Sequence, residues 1–150
     1  MTERHLSSDP PSAGEVAAAT ADIEAAIDEI AAYVDLEGVG TLVGLAGSVT
    51  TLTAHALGLE AYDPARIHLA ALSPERIAGA TAELLAMSHD ERAALGFMHP
   101  GRVDVIGAGA LVWDRVVARV TAASPGIAVV TSEHDILDGI ALSVARRLAG

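Results

Sequence analysis

The 150-residue chain contains no cysteine and no lysine, and its only aromatic side chains are Tyr33, Tyr62, Phe97 and Trp113. Each absence closes off some chemistry. Without cysteine there is no disulfide scaffold, no thiolate ligand for zinc and no thiol nucleophile, so any hydrolysis here must use water or an oxygen nucleophile. Without lysine, all nine basic residues are arginines. Arginine's planar fork suits bidentate phosphate contacts, although the Arg codon bias of a GC-rich genome gives the same composition. With so few aromatics the core must be built from Ala, Val, Leu and Ile, which favours close helix packing. No apolar run approaches the roughly 18 residues needed to cross a bilayer. The polar start, MTERHLSSDPP, lacks the apolar core of a signal peptide, so a cytoplasmic protein without membrane partners is expected.

What is abundant is apolar and acidic. Hydrophobic residues make up 51% of the chain and the formal net charge is −11. The apolar share suffices for one core, and no interior linker or repeat interrupts it, so residues 1–150 are read as one domain. The acidic surplus argues against a nucleic-acid partner, because such binding rests on Lys and Arg displacing counterions from phosphates. A compact phosphate site remains compatible with an acidic protein where arginine, backbone amides and a metal converge.

Periodicity places the elements. Ser12 to Glu15 reads as a capping box, and Val16, Thr20, Ile23, Ile27, Ile30 and Val34 then mark one buried helix face running to about Leu36. The opposite face carries Asp22, Glu24, Asp28 and Glu29, read as a solvated acidic surface. Residues 41–45 form a short buried strand, followed by a helix from about Ser48. A second strand is expected at Arg66–Leu69, after the turn signal at Tyr62–Pro64. Helices follow over about 74–87, from Ser88 to near Gly96, and over about 103–122. A third strand spans Ile127–Val130, and Ser132 caps a last helix to about Leu148. Strands separated by helices, without hairpin signals, indicate an α/β layer with parallel pairing. Three short strands are few for such a sheet, which suggests that further strands precede this segment.

Two glycine-bearing turns are candidate sites. In Val43-Gly44-Leu45-Ala46-Gly47-Ser48, glycines at a strand end allow close backbone approach, and the following helix start offers amides to a phosphate. The same pattern also describes a tight turn in which Ser48 is only an N-cap, and the hydroxyls of Thr50 and Thr51 either face a ligand or bond back within the helix. The stretch Val105-Ile-Gly-Ala-Gly-Ala imitates a dinucleotide fingerprint but fails it. Its third glycine would fall at Val112, no acidic residue follows at the required distance, and the surrounding periodicity is helical. Close packing explains Gly107 and Gly109 instead. Arg102 and Asp104 precede that helix, either to hold an anion or to brace the loop as a pair. The six histidines lack zinc-ligand spacing, and Glu133, His134 and Asp135 are read as a helix's ordinary acidic first turn.

Five ordered blocks carry a family resemblance: TERHLSSDPP (2–11), VGLAGSVTTL (43–52), AYDPARIHL (61–69), MHPGRVDVIGAGA (98–110) and SEHDILDGIAL (132–142). Together they resemble the C-terminal portion of short actinobacterial-type members of the exopolyphosphatase/guanosine pentaphosphate phosphatase family. The resemblance implies an α/β fold, the incomplete second domain of an actin/Hsp70-like ribonuclease-H fold, helix-rich with about three short strands. It implies a phosphoanhydride hydrolase that releases orthophosphate from polyphosphate with Mg²⁺, or that acts on guanosine pentaphosphate, and that works as a homodimer. The family's N-terminal domain, with its phosphate loop and water-activating glutamate, has no counterpart in this sequence, and neither has the glycine-rich loop that opens the second domain. Carried over residue by residue, the resemblance marks Gly44, Gly47, Ser48 and Thr50 as cleft-lining phosphate contacts, with Arg102 beside them. It assigns no general base and no metal ligand, so a non-catalytic binding or dimerisation module stands as the alternative.

Overall fold

The computed structural model describes residues 1–149. Its elements run α1 (Thr2–His5), α2 (Ala13–Ala31), β1 (Thr41–Gly44), α3 (Gly47–Ala56), α4 (Pro64–Ile67), α5 (Pro74–Ala86), α6 (His89–Ala93), a 3-10 turn (Pro100–Arg102), α7 (Ile106–Ala123), β2 (Ala128–Thr131) and α8 (Ile136–Ala149). β1 and β2 pair in parallel, with Thr41 opposite Ala128 and Gly44 opposite Thr131. Parallel neighbours require a crossover, and the whole helical run from α3 to α7 provides it.

α7 organises the packing, because it touches α5, α3, α2 and β1. Ile106, Ala110 and Val117 on one side of it join Leu52, Ile77, Ala80 and Leu84 in the main core, which also takes in Val129 of β2. Leu111, on its other side, meets Ala19, Ile23 and Ile27 of α2 together with Leu85. Helices rich in small residues can approach closely. A Cβ on Gly109 would collide with the Ser48 hydroxyl of α3, and one on Gly107 would sit 3.2 Å from Leu85. Close packing therefore accounts for both glycines, as their helical setting predicted.

Several expectations need correction. Residues 66–69 are not a strand: Asp63 accepts bonds from the Ala65 and Arg66 amides and Pro64 occupies the first helical position, so Arg66 and Ile67 close α4 while His68 and Leu69 turn out of it. Strand-like pairing moves downstream, where Leu69 N donates to Thr131 O at 2.8 Å, Thr131 N to Ala70 O at 2.9 Å, and Ala71 bridges Val130 antiparallel. TERHL, the head of the first resemblance block, forms the short helix α1 against α2. α2 stops at Ala31, and Ile30 and Val34 are exposed although the periodicity placed them on the buried face. The acidic face of α2 is largely paired. Asp22 meets Arg4 and His5, while Arg119 reaches both Glu24 and Asp28.

Ser48 is not an N-cap, since α3 begins one residue earlier behind Ala46. Ser132 likewise caps no helix. Its hydroxyl closes a small turn with His134, and α8 starts at Ile136.

Candidate functional site

The turn from β1 into α3 is built around close approaches. A Cβ on Gly44 would lie 2.5 Å from Trp113 and 2.7 Å from Val49, so only glycine lets the strand end against α7 there. Ala46 has φ 72° and ψ 170°, a backbone region almost reserved for glycine. Holding alanine there costs on the order of 1–3 kcal/mol and persists only where the surroundings over-determine it. As the N-cap of α3, Ala46 offers no side-chain acceptor. The first-turn amides of Gly47, Ser48 and Val49 are thus left without a capping side chain, at the positive end of a ten-residue helix.

Arg102 comes to this turn from the 3-10 segment. His99 opens that segment by accepting the Gly101 amide at 3.1 Å. Arg102 Nη1 donates to Thr51 Oγ1 at 3.0 Å, and the guanidinium lies so close over Gly47 that a Cβ would stand 2.5 Å from Nε and 2.6 Å from Nη2. Among the described residues this is the guanidinium's only hydrogen bond, which leaves most of its donors available. The suggested brace with Asp104 does not form: Asp104 approaches His89 at 3.4 Å instead.

A third group closes the site. Tyr62 Oη lies 2.7 Å from Glu133 Oε1 and 2.8 Å from Thr50 Oγ1. The phenol has one proton, so it donates to the carboxylate and receives the Thr50 hydroxyl proton in return. Burial pushes the Tyr62 phenol above its ordinary value, the Thr50 bond pulls the other way, and Glu133 adds to the rise. The phenol is therefore a neutral donor throughout the physiological range. Tyr62, Phe97, Met98, His99, Arg102 and Glu133 line an open cleft of about 580 Å³ beside the α3 terminus.

Of the residues marked in the sequence, the structure brings Gly47 and Arg102 into direct contact at the mouth of the turn. Gly44 and Thr50 are buried behind it, and the Ser48 hydroxyl packs against Gly109. Tyr62 and Glu133 were missed as site residues. They sit in two of the ordered blocks, but nothing in the spacing of a tyrosine and a glutamate 71 positions apart tells that they meet. His134 stacks edge-on against His68 with ring centres 4.7 Å apart and approaches Asp138 at 3.4 Å. Among the described residues no group of three His, Asp or Glu side chains converges as a metal site, so the Mg²⁺ implied by the resemblance has no fitting ligand set here.

Comparison with known proteins agrees with this architecture. The sequence profile of the Ppx/GppA phosphatase family matches residues 1–144. Exopolyphosphatase 2 of Mycobacterium tuberculosis is 47% identical over 146 residues, which cover 97% of this chain and 46% of that protein, in its C-terminal portion. The chain thus spans about half the length of the curated relatives it matches. The crystal structure of an exopolyphosphatase-like protein superposes with a TM-score of 0.92 at 42% identity, over 98% of this chain and 48% of that one. A family member from Aquifex aeolicus shares the fold at a TM-score of 0.82 and 22% identity, over 99% of this chain and 46% of that one. A helix-rich α/β segment with a small parallel sheet, matched along nearly its whole length, belongs to the Ppx/GppA phosphatase family.

Proposed function

We propose that this chain is the phosphate-binding C-terminal part of a phosphoanhydride hydrolase that releases orthophosphate from inorganic polyphosphate. One observation carries the reading. Arg102, which has no carboxylate partner among the described residues, lies directly against Gly47 at the uncapped first turn of α3, so guanidinium donors stand beside the positive end of that helix. Glycine at position 47 is what lets them come so close. The resemblance supplies the rest of the reading: a cytoplasmic homodimer, Mg²⁺ brought with the substrate or held by residues outside this chain, and a water-activating glutamate in an N-terminal half. The test is a titration of the chain with tripolyphosphate, followed by the amide resonances of Gly47, Ser48 and Val49. Saturable shifts are expected, and Arg102→Ala should weaken binding about tenfold or more, as loss of a charge-assisted hydrogen bond would. Absence of saturable shifts, or an R102A variant that binds equally well, would overturn the reading.

A binding role without turnover for the isolated chain is favoured by a second observation. Glu133 is the only carboxylate lining the cleft among the described residues, and Tyr62 already engages it. Purified chain with Mg²⁺ is expected to release no orthophosphate from polyphosphate or guanosine pentaphosphate. Metal-dependent turnover would contradict this. Guanosine pentaphosphate remains a second substrate reading because the cleft has an apolar floor of Phe97 and Met98, for which a polyphosphate chain has no use. Competition between the two anions for the same amide shifts separates these readings.

A further inference from the structure

Inside the first turn of α3 the Thr50 amide bonds Ala46 O at 3.1 Å, and the Thr50 hydroxyl makes only a long 3.4 Å approach to Gly47 O. The turn starts from a strained Ala46 and has no side-chain cap, so contacts from outside add to these ties in setting its orientation. Two consecutive, buried threonines receive that constraint from different neighbours. Thr51 is held by Arg102, and Thr50 is held by Tyr62, which is in turn held by Glu133. The second chain of bonds joins three segments remote in sequence: the loop before α4, the start of α3 and the turn after β2. Thr50 is only 4% exposed, so its hydroxyl has little access to water as a substitute partner.

We infer that Tyr62 and Glu133 are positioning residues for the anion-binding turn: the Glu133–Tyr62–Thr50 relay fixes the α3 amides against Arg102. The inference rests on the phosphate reading given above. It also has a rival, because Glu133 is a negative charge beside an anion site and would repel the ligand whatever it bonded to. The two roles predict different orders of affinity. Glu133→Gln and Glu133→Ala remove the same charge, but only glutamine keeps an acceptor for the Tyr62 hydroxyl. Tyr62→Phe keeps the charge and the ring and removes the bond.

The experiment is the tripolyphosphate titration of the unaltered chain and of E133Q, E133A and Y62F, each first checked for a folded amide spectrum. Positioning predicts that E133Q binds at least as tightly as the unaltered chain, whereas E133A binds about three- to tenfold more weakly than E133Q. Y62F should weaken binding by a similar factor. Equal, tightened binding by both Glu133 variants together with an unchanged Y62F would overturn the inference and leave the phosphate reading standing. No saturable binding by the unaltered chain would overturn both. If Y62F fails to fold, the Glu133 pair alone decides, because both members remove the charge and only glutamine keeps an acceptor for the Tyr62 hydroxyl.

Discussion

In the layer formed by α3, α5 and α7, the side chains of Leu52, Ile77, Leu84, Ile106 and Val117 are at most 1% exposed, whereas in α8 those of Ile136, Leu137, Leu142 and Leu148 are at least 60% exposed. The two regions do not differ in apolar content. They differ in whether another element lies against the apolar residues: α7 touches four elements, while α8 has no comparable contact among the described residues. β1 repeats the contrast within one strand. Leu42 faces the core and Gly44 meets Trp113, but Val43, and Leu45 just past the strand, are about half exposed. Hydrophobic pattern therefore marks which face seeks burial, and topology decides whether burial is found.

Mutation should show this asymmetry directly. Leu84→Ala removes a fully buried side chain from the main core and is expected to cost about 2–5 kcal/mol of unfolding free energy. Leu148→Ala should change stability by no more than about 0.5 kcal/mol. Urea denaturation of both variants measures the difference, and equal losses would mean that α8 is packed in solution. Gly44→Ala tests the tightest approach between sheet and helix. The added methyl meets the Trp113 ring, so a loss of about 1–3 kcal/mol is expected. A neutral Gly44→Ala would show that Trp113 can move and that the turn into α3 is looser than its geometry implies. The unpacked region makes its own prediction, namely self-association at high concentration and binding of a dye that reports apolar surface. Leu142→Glu should reduce both, and a monomer that binds no dye would break the contrast between the two regions.

Most of the helical layer was legible because its signals are local. Ser12 with Glu15 and Ser88 with Glu91 form the capping boxes their spacing announces, and Ser73–Pro74 starts α5 where expected. The misreadings arose where a local signal had two outcomes. Arg66–Leu69 has the composition of a strand, but the Asp63–Pro64 start made the helix cheaper to form. Ile30 and Val34 continue an apolar stripe past the end of the surface that α7 covers. The candidate site was half legible. Gly47 and Arg102 carry recognisable chemistry at a strand end and before a helix, so their residue types pointed to the site. The Tyr62–Glu133 bond depends on two loops 71 positions apart converging, and no local pattern encodes that.

Between the packed layer and the bare helix lies a third region, residues 1–12, held to the body by polar ties as well as by apolar contacts. Glu15 is its centre. One carboxylate oxygen accepts the Ser7 hydroxyl at 2.6 Å and the Ser7 and Ser8 amides at 2.9 Å, and the other accepts the Ser12 amide at 2.7 Å and hydroxyl at 2.8 Å. These bonds, the one from the Ser7 hydroxyl foremost, hold the carboxyl far below its ordinary value. A depressed folded-state value means that the stabilisation is complete above the unfolded carboxylate value of about 4.3 and drains away as pH falls below it. Glu15→Gln removes the charge while keeping a single acceptor oxygen, so it should be less stable than the unaltered chain at neutral pH. The gap should narrow as the solution is acidified below about pH 4, because the unfolded chain then takes up a proton at this carboxyl while the folded state does not, which draws the equilibrium toward unfolding. Urea midpoints of the two proteins across that range read the effect, which is small because the group is solvent-exposed. A gap that stays constant with pH would mean that the segment is held by its apolar contacts, Leu6 and Met1 against the α2 cluster, and would move residues 1–12 into the packed class.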